Sequence, residues 1–324
     1  MKTKNTLITT VAMFATIGLN GAPITIDTVI VGNAGNTADS TGYGSVVYEY
    51  HITTTEITNT QYAAFLNAVA QSDSKGLYNE KMADIGSIGA YGSGIIRNGT
   101  DGNYTYTVVS GRENYAVNYV SLFDAARFCN WLTTGDTERG VYVIIDPSTL
   151  HAGDGSIIRD TSAWFNGGIV LPTEDEWYKA AYYNGDGTYN LYPTNSNNIG
   201  AGDANYAWGS GQLNDLTNVD FGGLLSPYGT LGQGGNVWEW NETVVSGKFG
   251  IRGGSFWDDE SLLESSARYN TAAADEDGEL NFVGFRVSSL GAIEIPEPST
   301  YAALFGALAL TFAVYRRRSF VGKK

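Results

Sequence analysis

Three times along the chain a short polar residue is followed, three positions on, by one able to return its hydrogen bond. Each time an apolar stripe of helical period comes next. Thr58 and Gln61 open the first, with Tyr62, Phe65, Leu66 and Val69 on one face. Ser121 and Asp124 open the second, where Leu122, Ala125, Cys129 and Leu132 share a side and Gly135 supplies a stop. Thr173 and Glu176 open the third, with Trp177, Ala180 and Ala181 turned inward and Gly185 as its end. Between them, shorter stretches read as strands. Val46, Tyr48, Tyr50 and Ile52 alternate with more polar positions, and 104–109, 168–171, 249–251 and 285–287 are further candidates. On an extended segment Trp238 and Trp240 would face one way and Glu239 the other. Scattered short strands with a few helices predict an irregular α+β fold.

The two ends have a different pattern. Lys2 and Lys4 precede the apolar run Leu7 to Leu19, so residues 1–22 read as a secretory signal peptide, with cleavage near Asn20-Gly21-Ala22. At the other end Pro296-Glu297-Pro298 leads into the apolar run Tyr301 to Tyr315 and then Arg316-Arg317-Arg318. Both runs are short for a spanning helix, which needs about 20 residues. The arginines would hold the tail on the cytoplasmic side, leaving the body outside. The order of motif, apolar segment and basic tail over 296–324 resembles the PEP-CTERM sorting signal. That resemblance implies processing by an exosortase-type enzyme and delivery to the cell surface or an exopolysaccharide matrix. The alternative is an uncleaved tail that keeps the protein in the membrane. No Pro/Ser-rich linker divides residues 23–295, which are expected to form one domain.

Composition narrows the chemistry. The formal net charge is −15, and both ends are basic, so the body is more acidic still. Such a body repels nucleic acid and favours hard divalent cations. The single cysteine, Cys129, rules out an intrachain disulfide and a Cys-rich zinc site. Two histidines, His51 and His151, are too few for a three-His metal centre. Cys129 lies on an apolar helix face and reads as a buried core residue, not a nucleophile. The 41 glycines point to many turns, and the 21 tyrosines and 7 tryptophans to an aromatic core with surplus for ligand stacking.

Five segments in order resemble the formylglycine-generating enzyme, or sulfatase-modifying-factor, domain family. They are Glu56-Ile57-Thr58-Asn59-Thr60-Gln61-Tyr62 with Phe65-Leu66, Val120 to Ala126 with Cys129-Asn130-Trp131-Leu132, and Leu171 to Trp177 with Ala180-Ala181. After these come Gly235-Asn236-Val237-Trp238-Glu239-Trp240, then Arg252-Gly253-Gly254-Ser255-Phe256 with Gly284-Phe285-Arg286-Val287. The resemblance implies a C-type-lectin-like fold with little regular structure. It also implies calcium, held by the carbonyls of Gly235 and Val237 and the carboxylate of Glu239. A further ligand position, usually Asp or Asn, falls on Gly232. A second calcium site would map onto Asn205, Tyr206, Asn218 and Asp220.

Catalytic members of that family oxidise a substrate cysteine with two active-site cysteines that bind copper. Here those positions fall on Asp258 and Leu263, which supply no thiolate for soft Cu(I). Copper is therefore not expected. Iron is not expected either, since iron-dependent relatives need an additional His-bearing domain. What remains is a non-oxidase domain with a ligand groove at Asp258, Asp259, Arg268 and Arg286, suited to a peptide or glycan. Two alternatives stay open: an enzyme with altered, non-copper chemistry on the same scaffold, and a structural matrix protein.

Overall fold

A computed structural model describes residues 24–86, 91–145, 156–207, 215–221, 223–245, 247–271 and 278–293. Four helices occur among them: α1 (Asn59–Val69), α2 (Leu122–Thr134), α3 (Thr161–Phe165) and α4 (Glu174–Tyr182). The three capping signals each start a helix with reciprocal hydrogen bonds. Thr58 Oγ1 accepts from the Gln61 amide at 3.3 Å while Gln61 Oε1 accepts from the Thr58 amide at 2.9 Å. The Ser121–Asp124 and Thr173–Glu176 boxes repeat the pattern. Gly135 ends α2 in the left-handed conformation. Gly185 does not end α4. That helix closes at Tyr182, with Tyr183 already extended, and Gly185 belongs to the following turn.

Eleven strands are described: β1 (Thr28–Val31), β2 (Tyr50–Thr53), β3 (Ile95–Asn98), β4 (Thr105–Val108), β5 (Tyr142–Ile145), β6 (Ser156–Arg159), β7 (Trp238–Val245), β8 (Lys248–Arg252), β9 (Tyr269–Thr271), β10 (Val283–Phe285) and β11 (Ser288–Ser289). They form a three-stranded sheet in the order β1-β2-β11, a four-stranded sheet in the order β10-β7-β8-β9, and the hairpins β3–β4 and β5–β6. In the larger sheet β10 runs parallel to β7, with Gly284 opposite Glu239. The expected strand from Val46 onward pairs only from Tyr50, although burial alternates from Val46. The expected strand at 168–171 is a single bridge between Val170 and Ser288. That at 285–287 is displaced: β10 stops at Phe285, and the chain turns through Arg286 into β11.

The main core lies where α1, α2 and β10 meet. Phe128 of α2 stacks on Tyr62 of α1 at 6.1 Å and meets Phe65 and Phe285 edge-on, each at 5.4 Å. Burying each such ring contributes roughly 1.5–3 kcal/mol. Cys129 is buried in this core, and burial pushes its thiol well above the usual range. The signal segment and the sorting motif Pro296, Glu297 and Pro298 lie outside the described residues, as does His151. Among the described residues no helix is long and apolar enough to cross a membrane.

Candidate functional site

The segment leading into β7 organises the region on which the motifs converge. Gly232 and Gly235 take positive φ, and a Cβ on either would overlap a neighbour: the Glu56 carboxylate and the Asn205 carbonyl respectively. Asn236 also has positive φ, which its side-chain hydrogen bonds sustain. Its Oδ1 accepts from the Thr217 amide at 3.0 Å and from Asn205 Nδ2 at 3.2 Å, and its Nδ2 donates to Glu56 Oε1 at 2.8 Å. Motifs far apart in sequence are thereby tied together.

Glu239 is fully buried and accepts three hydrogen bonds. Arg286 donates from Nε to Glu239 Oε2 at 2.6 Å and from Nη2 to Oε1 at 2.8 Å, and Trp177 Nε1 donates to Oε2 at 2.6 Å. Arg286 also donates to the carbonyls of Thr53 and Leu231. A carboxylate clamped this way is the anion of a buried ion pair. Arg286 meets its charge, and Oε1, which accepts one hydrogen bond, is the oxygen with acceptor capacity left for the calcium role that the resemblance implies. The same contacts correct the expected groove, since Arg286 is buried and does not line an open surface.

The other groove residues are also used internally. Arg268 pairs with Glu174, which Arg252 grips through Nε at 2.7 Å, and both guanidinium groups lie over the Tyr43 ring. Asp258 Oδ2 accepts from Trp238 Nε1 at 2.8 Å, from the Ser255 amide at 2.9 Å and from Ser255 Oγ at 2.6 Å. Asp259 is exposed and caps the short turn Glu260–Leu263 through the Ser261 amide. Leu263 is buried, so neither position where the oxidases carry a thiol presents a reactive side chain.

Around Asp258 the surface is aromatic, a feature the sequence reading missed. Trp257 is 42% exposed and meets Tyr91 edge-on at 4.6 Å, with Phe282 at 6.2 Å. Tyr269, 58% exposed, lies 5.9 Å from Trp238, whose indole holds Asp258. The signal was present in the chain: Trp257 directly precedes the Asp in a loop after Gly253-Gly254.

Of the second expected calcium site, Asn205 and Asn218 border the same small cavity, while Asp220 lines a neighbouring groove. Asn205 is buried with Oδ1 unpaired, whereas Asn218 and Asp220 are exposed. Tyr206 is buried. Among the described residues no three His, Cys, Asp or Glu side chains cluster as a metal centre. Glu56, which the sequence reading used only as part of a motif, stands out. It is buried with Oε2 unpaired. Burial, with Glu239 nearby, pushes it up to about 7, against the opposing pull of Arg286 and Asn236.

Residues 25–289 match the model of the sulfatase-modifying factor enzyme 1-like domain. The chain belongs to this family. Among solved structures, CarF is 21% identical to this sulfatase-modifying-factor-like chain, with a TM-score of 0.56 over 82% of this chain and 99% of that one. Treponema denticola variable protein 1 is 18% identical, with a TM-score of 0.50 over 82% and 95%. PvdO from Pseudomonas aeruginosa is 15% identical, with a TM-score of 0.48 over 82% and 92%. The likeness to CarF shows the same fold, in agreement with the irregular α+β arrangement read from the sequence. No curated protein matches the chain.

Proposed function

We propose that this sulfatase-modifying-factor-like domain is an exported, non-oxidase binding protein displayed at the cell surface, and that it holds a glycan on the aromatic shelf around Trp257. The observation that carries this reading is the exchange at one place. Where oxidase relatives keep a thiol, Asp258 is consumed by Trp238 and Ser255, and the adjoining surface offers Trp257 and Tyr269 to solvent. Exposed rings backed by other rings suit stacking on the apolar faces of sugars, and the exposed carboxylate of Asp259 nearby can accept hydroxyl hydrogen bonds. The exported placement rests on the basic start with its apolar run and on Pro296-Glu297-Pro298 with its basic tail.

The test is tryptophan fluorescence of the purified body titrated with oligosaccharides, beside a peptide array. Saturable quenching by a glycan that disappears in Trp257→Ala supports the proposal. A blank glycan series sinks it, and retention on peptides alone transfers the shelf to a peptide ligand. Mass spectrometry of the surface form tests the sorting step, for which loss of Arg316 to Arg318 is expected.

A further inference from the structure

The hairpins β3–β4 and β5–β6 are built alike and finished differently. Each is a two-stranded antiparallel sheet. On β3–β4 the outward positions pair Ile96 with Thr107 and Asn98 with Thr105, a face that is mostly polar. On β5–β6 the corresponding positions pair Val143 with Ile158 and Ile145 with Ser156. Val143, Ile145 and Ile158 are 57%, 39% and 53% exposed, and Phe165, which ends the helix following β6, is 70% exposed. The charge of the hairpin is turned the other way, where Arg159 pairs with Glu242 at 3.0 Å. Three branched aliphatic side chains on one uncharged strand face, with an exposed phenyl ring next in the chain, exceed the scattered apolar residues of an ordinary soluble surface.

This side is also where the body hands over to its C-terminal tail. The Leu171 amide donates to the Tyr142 hydroxyl at 2.9 Å, which seats the hairpin beside residues 168–171. Val170 in turn exchanges both backbone hydrogen bonds with Ser288, at 2.9 and 2.7 Å. The last described residue, Ile293, packs on the main core, as do Ile144 and Ile157 on the inner side of the hairpin. Eight steps of chain lead from Ile293 to Tyr301, where the apolar run begins. Fully extended, they reach at most about 28 Å. A compact body of about 270 residues has a radius of gyration of about 18 Å, hence a diameter of roughly 50 Å. A tail embedded in a bilayer therefore keeps the exit side of the body towards it and the far side out of reach.

We propose that the outer face of β5–β6, together with Phe165, rests on the surface of the bilayer that holds the C-terminal apolar run and so orients the tethered body. The inference rests on the exported, membrane-delivered reading above and is independent of the glycan shelf. Branched aliphatic and phenyl side chains suit the boundary between headgroups and acyl chains. The net charge of −15 opposes an anionic surface, so the matching lipid is zwitterionic. Because the tail already holds the body close, a patch too small to bind a membrane alone suffices to set its orientation.

The experiment uses the full chain in phosphatidylcholine vesicles. Ile158→Cys carries an environment-sensitive fluorophore, and Thr107→Cys carries it at the matching place on β3–β4. Cys129 is buried and stays unlabelled. Spin-labelled lipid should quench the label at position 158 and the bilayer should shift its emission to the blue, while the label at position 107 keeps its intensity and colour. Val143→Cys, on the same face, should repeat the result and serves if Ile158→Cys does not fold. A chain that floats with the vesicles while both hairpin labels escape quenching overturns the proposal and leaves the anchored reading standing. A chain that does not float removes the anchored reading, and the proposal falls with it. A blue shift that grows with protein concentration in detergent, without vesicles, overturns it in favour of a second copy of the chain.

Discussion

Glu239 and Glu56 are both buried, near enough for each to feel the other's charge, and opposite in circumstance. Glu239 has a guanidinium across both oxygens and an indole besides; Glu56 has one amide and a free oxygen facing a cavity. A carboxylate whose charge is met inside the protein is part of the scaffold. One whose charge is unmet is held for something from outside, or holds a proton. The motif that the resemblance marks as a metal site thus carries an internal ion pair, and Glu56, read only as part of a motif, is the buried carboxylate that keeps an oxygen without a partner.

The contrast can be broken most severely from the Arg286 side. Arg286→Ala would turn Glu239 into a second unmet charge and should cost roughly 3–5 kcal/mol in urea unfolding, against much less for the paired replacement of Glu239 and Arg286 by Gln and Met. Asp124 sharpens the same point through pH. Burial, with Glu279 nearby, pushes it up to about 7 from its usual value of 3.8, against the pull of Ser121 and Arg127. Its folded-state value is raised, so its contribution is fully present below about pH 4 and is lost as pH rises to about 7, at roughly 1.4 kcal/mol per unit of difference. Asp124→Asn keeps an acceptor for Ser121, and its melting curves should lose that slope. Gly232→Ala acts on the wall beside Glu56. Its positive φ and the overlap with the carboxylate should together cost roughly 2 kcal/mol, measured by thermal melting. Trp257→Ala touches neither carboxylate and should change stability by about 1 kcal/mol or less while removing glycan quenching.

The start of each main helix was legible because a capping box is a local event, complete within four residues. Helix ends were less so. Gly185 looked like the stop for α4, yet the helix closes before it, at Tyr182, and Tyr183 instead bridges to Tyr189. The candidate strands at 104–109 and 249–251 contain β4 and most of β8, whereas the alternating run from Val46 pairs only from Tyr50 and Val170 makes one bridge, to Ser288, because pairing depends on a distant partner. Arg286 was placed in an open groove but is buried, and Arg268 is half-buried against Glu174, because sequence order does not reveal that Glu239 and Glu174 meet them in the fold.

The chain alone determined the helix starts, the buried cysteine, the fold class, the family, and the lack of thiols at Asp258 and Leu263, all properties of residue type and short spacing. Only the tertiary structure decided which carboxylate is satisfied. Charge compensation acts over a few ångströms, and the partners that meet there are separated by up to 180 positions along the chain, as Glu56 and Asn236 are.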